Sequence, residues 1–362
     1  MIVLHRFFNK LWYGSHPVAW LFWPVSRLFL FLARHRRAQY LVGKKPAYHP
    51  QIPVIVVGNI SVGGTGKTPI SIWLIEELKK RGLRPGLVSR GYGGKAPDYP
   101  YSVSASDSAS VTGDEPLMIH LRTGIPVVVD PDRAGAVRYL IENEQVDVVI
   151  SDDGLQHYRL ARTMELVVVD GERGFGNEKT LPMGPLREPI ARLEAVDAIL
   201  VNGAVSHPTL SHLSHLHDKI FSFTLQTGAW VPLNSESIPE IQSLESGQQK
   251  VIHGLAGIGN PQRFFATLGR LGIPHQPHSF PDHHDYTELD LEPFEAGLVL
   301  TTEKDAVKLR HFGSLRGAYL PINVEIMNPE PDQPGDGQLQ PSLIDVIMVR
   351  LEAFSQHHRH LY

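Results

Sequence analysis

Cysteine is absent from all 362 residues. Its absence excludes disulfides, thiolate catalysis and cysteine-ligated zinc or iron–sulfur centres, and it suits a reducing compartment. Basic charge is not in excess either. Lys and Arg number 34 against 38 Asp and Glu, a formal net charge of −4, so no general attraction to nucleic acid is expected. The 19 His are scattered, and they form neither a His-x-x-Glu-His nor a His-Glu-x-x-His zinc pattern. No internal repeat stands out. No uninterrupted run of about 20 apolar residues, the length needed to span a bilayer, is present.

The nearest approach to such a run lies between Trp12 and Leu41, where Trp20, Leu21, Phe22, Trp23, Leu28, Phe29, Leu30, Phe31 and Leu32 crowd together. Pro17, Pro24 and Arg27 interrupt it, and the basic cluster Arg34, His35, Arg36, Arg37 follows it. A secretory signal carries its charges first and a small-residue cleavage site afterwards. Aromatic rings interleaved with cations fit a helix lying in the membrane interface, its cations on anionic lipid. The alternatives are a helix packed on the protein's own core, an oligomer contact, or a transmembrane anchor.

What is present in quantity is ordinary globular material: 42% hydrophobic and 20% charged residues, enough to bury a core. After a linker around Lys44–Pro50 come short Val- and Ile-rich runs at Ile52–Gly58, Gly86–Ser89, Ile125–Asp130, Val146–Ser151, Leu166–Asp170 and Val196–Asn202. They lack polar alternation, as parallel strands covered on both faces do. Between the first two, Ile70, Trp73, Leu74 and Leu78 recur at helical spacing, followed by Lys79, Lys80, Arg81 and then Gly82 as a stop. Val137, Leu140 and Ile141 mark a further helix. This alternation predicts a doubly wound, mostly parallel α/β sheet with ligands at the carboxyl ends of its strands.

A second, smaller α/β pattern starts at Val251, with a helix over Pro261–Leu271, a strand at Leu298–Leu300 and a helix from Asp305 to His311. Met327–Pro341 reads as a flexible loop, and a last helix covers about Ser342 to Phe354. The expected divisions are residues 1–45 (membrane-surface helix), 46–205 (core), 206–249 (linker and strand region) and 250–362 (smaller domain).

The strongest chemical signal is Val57-Gly58-Asn59-Ile60-Ser61-Val62-Gly63-Gly64-Thr65-Gly66-Lys67-Thr68, between a buried strand and an amphipathic helix. Glycines let backbone N–H groups turn inward around a phosphate, and the helix N-terminus adds positive potential. Lys67 is expected to reach the β- and γ-phosphates and the Thr68 hydroxyl to ligate Mg²⁺. Pro69 falls in the first turn, where a missing N–H does no harm. The G-x-x-x-x-G-K-[ST] pattern would put its first glycine at Ser61, and the Gly63-Gly64 pair compensates. The run Val146–Ile150 then delivers Asp152 and Asp153 to a strand's carboxyl end, a Walker-B arrangement for a Mg²⁺ shell.

Further polar residues should emerge at the same edge. They are Arg90 in a glycine-rich loop (Ser89–Gly94), Asp114 and Glu115 before a helical stretch, Arg133 after the third strand, Gln156 and His157 after the twin acids, and Arg187 and Glu188 in a Pro-bounded loop. Asp114 and Glu115 either cap a helix or serve an acceptor hydroxyl as base. Arg133 and Arg187 either form surface ion pairs or clamp phosphate. Phe280–Tyr286 is the densest polar cluster of the second pattern. A His beside an Asp there fits acid–base work, whereas His283, His284 and Asp285 as adjacent ligands suit one metal ion poorly. Gly254–Gly259 is a weak dinucleotide-like run. Thr302-Glu303-Lys304-Asp305 partly matches a GTPase base-reading motif without its Asn.

Together these blocks resemble one family, the tetraacyldisaccharide 4′-kinases (lipid A 4′-kinases) of Gram-negative bacteria. The likeness runs through Gly58–Pro69, Ser89–Gly94, Gly113–Pro116, Asp130–Ala134, Ser151–His157, Gly184–Pro189, Ala256–Phe265, Phe280–His283 and Thr302–Asp305, in the family's order, and includes the aromatic, basic amino-terminal helix. The resemblance implies a P-loop kinase with two domains whose cleft closes on ATP. ATP would lie on Ser61, Val62, Gly63, Gly64, Thr65, Gly66, Lys67 and Thr68, with Mg²⁺ near Thr68, Asp152 and Asp153. Asp114 would be the base for the 4′-hydroxyl, assisted by His283 paired with Asp282, while Lys67 and Arg187 stabilise charge. Asn59, Arg90, Glu115, Arg133, Gln156, His157 and Glu188 would line the phosphate and sugar side. The implied partner is a lipid A disaccharide precursor on an anionic membrane surface, at the cytoplasmic face of the inner membrane, and the product is lipid IVA. A partition- or septum-type P-loop ATPase at the membrane is the alternative. That class carries a Lys just before the two glycines, where this chain has Val62.

Overall fold

The computed structural model describes residues 8, 10–14, 17–234, 251–327 and 341–359. The described part of the 206–249 region holds a 3-10 stretch and two strands, while 235–249, and residues 328–340 of the loop expected over Met327–Pro341, lie outside the described residues. The chain forms two compact units, and neither is one continuous stretch. The larger takes the chain up to Arg90, then Val128–Leu225, then the part from Val324 onward; the smaller takes Gly91–Val127 and Gln226–Asn323. The boundaries 46–205 and 250–362 read from composition follow the chain, whereas compaction follows the packing. Residues 91–127 therefore fold with the carboxyl-terminal pattern, and the helix Leu343–Arg359 with the first unit.

In the larger unit the strands are β1 (Val54–Gly58), β2 (Pro85–Ser89), β4 (Val127–Val129), β5 (Val148–Asp152), β6 (Met164–Asp170), β7 (Ala198–Asn202) and β8 (Ile220–Thr227); β3 (Tyr101–Ser102) lies in the smaller unit. Their order is β8-β7-β6-β1-β5-β2-β4. β1 pairs in parallel with β5 and β6, β5 with β2, β6 with β7, and β7 with β8. Every residue of β1, β2, β5, β6 and β7 is buried, which is why these strands read as unbroken apolar runs. Sequence reasoning passed over β8, whose alternating burial breaks such a run.

The helix Lys67–Lys80 grows directly from the glycine loop. Gly66 caps it with φ 98, and Ile70, Leu74, Ile75 and Leu78 form its buried face. At the amino terminus a 3-10 turn (Pro17–Phe22) leads into a helix over Trp23–Leu41, with Pro24 in its first turn. There a proline starts the helix instead of breaking it. Ser26 fixes this helix to the unit, its hydroxyl 2.8 Å from the Thr180 carbonyl. The outer face is left bare: Trp20, Leu21, Trp23, Val25, Leu28, Phe31 and Leu32 are all at least half exposed. No helix among the described residues is long and apolar enough to cross a membrane.

The smaller unit holds a sheet of β9 (Val231–Pro232), β10 (Ile252–Ala256), β11 (Gln276–Ser279), β12 (Leu298–Thr302) and β13 (Gly317–Leu320), ordered β11-β10-β12-β13-β9. All its pairings are parallel except that of β9. Helices Pro261–Arg270 and Glu303–Leu309 follow β10 and β12, and helix Asp114–Thr123 belongs to the same unit.

Candidate active site

The polar residues singled out in the sequence fall into two groups, one in each unit. In the larger unit, β1 ends at Gly58, where a Cβ would lie 2.6 Å from the Leu155 Cβ. Only glycine allows the segment after β5 to pack so closely. The chain then turns through Gly63 (φ 115) and Gly66 (φ 98), backbone regions that side chains rarely adopt. A Cβ at Gly64 would meet nothing within 4 Å, so the loop presents open backbone on that side. The loop is held from behind. The Val62 N–H donates to the Pro185 carbonyl at 2.8 Å, Arg187 N–H to the Ile60 carbonyl at 2.7 Å, and Asn202 Nδ2 to the Thr65 carbonyl at 3.1 Å.

Lys67 at the start of the helix lies 3.5 Å from Asp153, and Arg187 reaches both Asp153 oxygens at 3.0 and 3.1 Å. Burial would raise the Asp153 carboxyl, but the Lys67 and Arg187 charges hold it below the usual carboxylate range. Asp153 takes a left-handed φ of 47 just after β5, which turns its side chain toward the loop while Asp152 stays buried. Asp152 accepts from the Ser71 hydroxyl at 3.1 Å. Arg133 is buried beneath these acids and donates to the carbonyls of Asp130 (3.0 Å) and Asp152 (3.3 Å). Burial brings its guanidinium down to about 10 despite Asp152 and Asp153 nearby. At 4% exposure it is not a surface ion pair.

Three residues expected on the sugar side are turned toward one another. Gln156 Nε2 donates to the Asn59 carbonyl (3.1 Å) and to Glu188 (2.8 Å). The other Glu188 oxygen accepts from the Tyr158 hydroxyl, and Arg192 lies 3.3 Å away. Arg192 in turn grips both oxygens of Glu165 on β6. His157 is half-buried beside Asp132 at 3.6 Å. Burial and the Arg133 charge lower its imidazole to about 4. Arg90 is exposed at the end of β2.

In the smaller unit, Asp114 is buried at the first turn of its helix, 4% exposed. His283 Nδ1 lies 2.9 Å from both of its oxygens. The expected partner of His283 was Asp282, its neighbour in the chain. Asp282 is instead 3.9 Å from the other ring nitrogen, because His283 sits at φ 59 and swings its ring away from the preceding side chain. Tyr92 packs edge-on to that ring at 5.2 Å. Burial would raise Asp114, but the His283 hydrogen bond and the Lys304 charge outweigh it and hold the carboxyl low. The same hydrogen bond raises His283. Lys304 lies 3.2 Å from both Glu115 and Asp282. His284 turns toward Asp290 at 3.3 Å, and no group of three or more His, Cys, Asp or Glu side chains that could hold a metal ion occurs among the described residues.

The residues present fit the ligands that this chemistry implies. The glycine backbone, Lys67 and Arg187 form a cationic, open cradle suited to a polyphosphate. Asp152, Asp153, Thr68 and the Ser71 hydroxyl offer the hard oxygen donors that Mg²⁺ takes. Sequence reasoning missed Ser71, Tyr158, Glu165 and Arg192. Ser71 alone carried a signal, lying one helical turn beyond Lys67.

A glycine loop leading from a buried parallel strand into a helix, with twin acids closing the adjacent strand, defines a P-loop kinase fold. The model of the family described as tetraacyldisaccharide-1-P 4′-kinase matches residues 18–334. A tetraacyldisaccharide 4′-kinase of Pseudomonas aeruginosa (strain PAO1) is 49% identical over 312 residues, covering 86% of this chain and 91% of that one. One of Aeromonas salmonicida is 48% identical over 320 residues, 88% and 92% of the two chains. A crystal structure of LpxK from Aquifex aeolicus in complex with ATP superposes with a TM-score of 0.73 at 26% identity, covering 92% and 99%. The chain belongs to the tetraacyldisaccharide 4′-kinase family.

Proposed function

We propose that this enzyme transfers the γ-phosphoryl group of ATP to the 4′-hydroxyl of a tetraacylated glucosamine disaccharide 1-phosphate, giving lipid IVA in lipid A biosynthesis. The observation that carries the reading is the charge cluster on the glycine loop, where Lys67 and Arg187 converge on Asp153. Such an arrangement puts two cations where a triphosphate tail delivers negative charge, and P-loop transfer is mainly positioning and charge stabilisation. Thr68, Asp152 and Asp153 would hold Mg²⁺, which when bound neutralises phosphate oxygens. Asp114, low in pKa and oriented by His283, accepts the hydroxyl proton. An Asp base contributes on the order of 10²–10⁴-fold. Gln156, held by the buried Glu188, which Arg192 supports, fixes the Asn59 carbonyl and hence the loop's first turn.

The bare aromatic and aliphatic face of Trp20–Leu32, followed by Arg34, Arg36 and Arg37, supports peripheral attachment to an anionic membrane, at the cytoplasmic face of the inner membrane. The test of function is incubation of the purified protein with labelled ATP and the tetraacylated disaccharide 1-phosphate, followed by chromatography of the lipid. Label in the lipid is expected. Release of phosphate that needs no lipid acceptor would point to the ATPase alternative.

A further inference from the structure

We propose that Lys304 is a positioning residue of this reaction: its ammonium holds His283 in the tautomer with the proton on Nδ1, so that Asp114 receives a hydrogen bond and stays an anion. The inference rests on Asp114 being the base. Thr302–Asp305 had no role in the reading above, yet the structure spends all four of its residues on this corner. Thr302 caps helix Glu303–Leu309 by accepting from the Asp305 N–H. Asp305, fully buried, accepts from the Gly257 N–H (2.9 Å), the Thr302 hydroxyl (2.7 Å) and the Tyr286 hydroxyl (3.1 Å). Glu303 binds Arg122 at 2.7 Å, tying this helix to the one that begins at Asp114. Two short helices are thus locked together at the point where Lys304 reaches out.

The Lys304 Nζ lies 3.2 Å from Glu115, 3.2 Å from Asp282, 3.4 Å from His283 Nε2 and 3.8 Å from Asp114. An ammonium has donors only. A ring nitrogen facing it must accept, which leaves the imidazole proton on Nδ1, the atom 2.9 Å from Asp114. Around the ring stand two carboxylates, Asp114 and Asp282, the ammonium, the Tyr92 ring and, beyond Asp114, the Lys308 charge, while Glu115 faces the ammonium itself. Remove Lys304 and the two acids favour an imidazolium, whose proton competes for the base. Burial opposes charge on Lys304, but Glu115, Asp114 and Asp282 outweigh it, so the ammonium persists well above the usual lysine range.

The active form pairs anionic Asp114 with neutral His283, and the Lys304 charge lowers both pKa values. Its loss raises both, so the acid limb of kcat/KM against pH moves upward. For Lys304→Met in the full chain, assayed with ATP and the lipid acceptor, we expect a limb displaced by roughly one unit or more and an unchanged KM for ATP. Lys304→Arg should return the limb toward the wild-type position. An equal loss at every pH, no loss at all, or an Arg variant as displaced as the Met variant overturns the proposal. Should Lys304→Met fail to fold, ¹⁵N imidazole shifts of His283 in the wild-type protein decide: protonated Nδ1 with bare Nε2 near neutral pH is expected, and the opposite tautomer overturns it. Near-normal turnover in Asp114→Asn would remove the base assignment itself, whatever Lys304 does.

Discussion

Asp153→Asn separates the chemistry of the glycine loop from its stability. Asn tolerates the left-handed backbone at φ 47 as well as Asp does, so the turn after β5 should persist. What disappears is one negative charge, 3.5 Å from Lys67 and 3.0 Å from Arg187. The Asp153 side chain is 36% exposed, and ion pairs screened to that degree are worth about 0.2–1 kcal/mol each. The folded state should therefore lose about 1 kcal/mol, a shift of a few degrees in Tm. Turnover should fall much further. A carboxylate that both holds the metal and aims two cations is removed, and losses on the order of 10²-fold accompany deletion of one such group. That corresponds to about 2.7 kcal/mol of transition-state stabilisation. The assay is phosphoryl transfer across a Mg²⁺ titration, with metal-free ATP binding measured in parallel. Binding without metal should not weaken, because the lost charge repelled the triphosphate. Wild-type turnover at saturating Mg²⁺, or a Tm drop large enough to account for the lost activity, would refute the assignment.

Gly66→Ala should raise the KM for ATP and cost about 1–2 kcal/mol of stability, because an L-residue at φ 98 is strained and its Cβ would lie 3.0 Å from Asn202 Nδ2; an unchanged KM would count against the cradle. His157 is held neutral, its pKa lowered from 6.5 to about 4 by burial first and Arg133 second. The folded state then refuses a proton that the unfolded chain takes up, so stability falls as pH drops below 6.5 and levels off near 4. Between pH 6.5 and 5 this amounts to about 2 kcal/mol, and the urea midpoint of His157→Asn should lose that part of its pH dependence. Arg192→Leu removes the guanidinium nitrogen that reaches both Glu165 oxygens, while Arg162 stays 3.1 Å from that carboxylate, and should destabilise by about 1–3 kcal/mol, read as a urea midpoint. Replacing Leu21 and Phe31, 77% and 62% exposed, with Ser should reduce sedimentation with anionic vesicles while leaving Tm within a degree or two; undiminished binding would argue against this face as the membrane contact.

The strands of the larger unit were legible because parallel strands buried on both faces must be apolar throughout, and β1, β2, β5, β6 and β7 all are. The glycine loop was legible for a related reason: its residues are contiguous, so spacing alone specifies the geometry. Half-exposed strands such as β8 and β14 (Ile322–Met327) escaped, since an alternating pattern of this length also fits an irregular segment. The units escaped as well, because a chain that leaves one core at Arg90 and returns at Val128 changes its packing without changing its composition.

Pairings across long separations were the least legible, and the reason is physical. Asp114 and His283 are 169 positions apart, and Glu115 and Lys304 are 189 apart. Sequence shows which side chains can take part in a proton transfer but not which carboxylate a given imidazole will face, and the nearest Asp in the chain was the natural guess. Adjacent residues project in different directions, so a neighbour is a poor partner unless the backbone bends for it, and at His283 the backbone bends the other way. Once the ring faces Asp114, its second nitrogen needs a donor, and the Lys304 ammonium supplies one at 3.4 Å. The motif that looked like an incomplete base-reading element is thereby accounted for by hydrogen-bond valence, with each of its four residues spoken for.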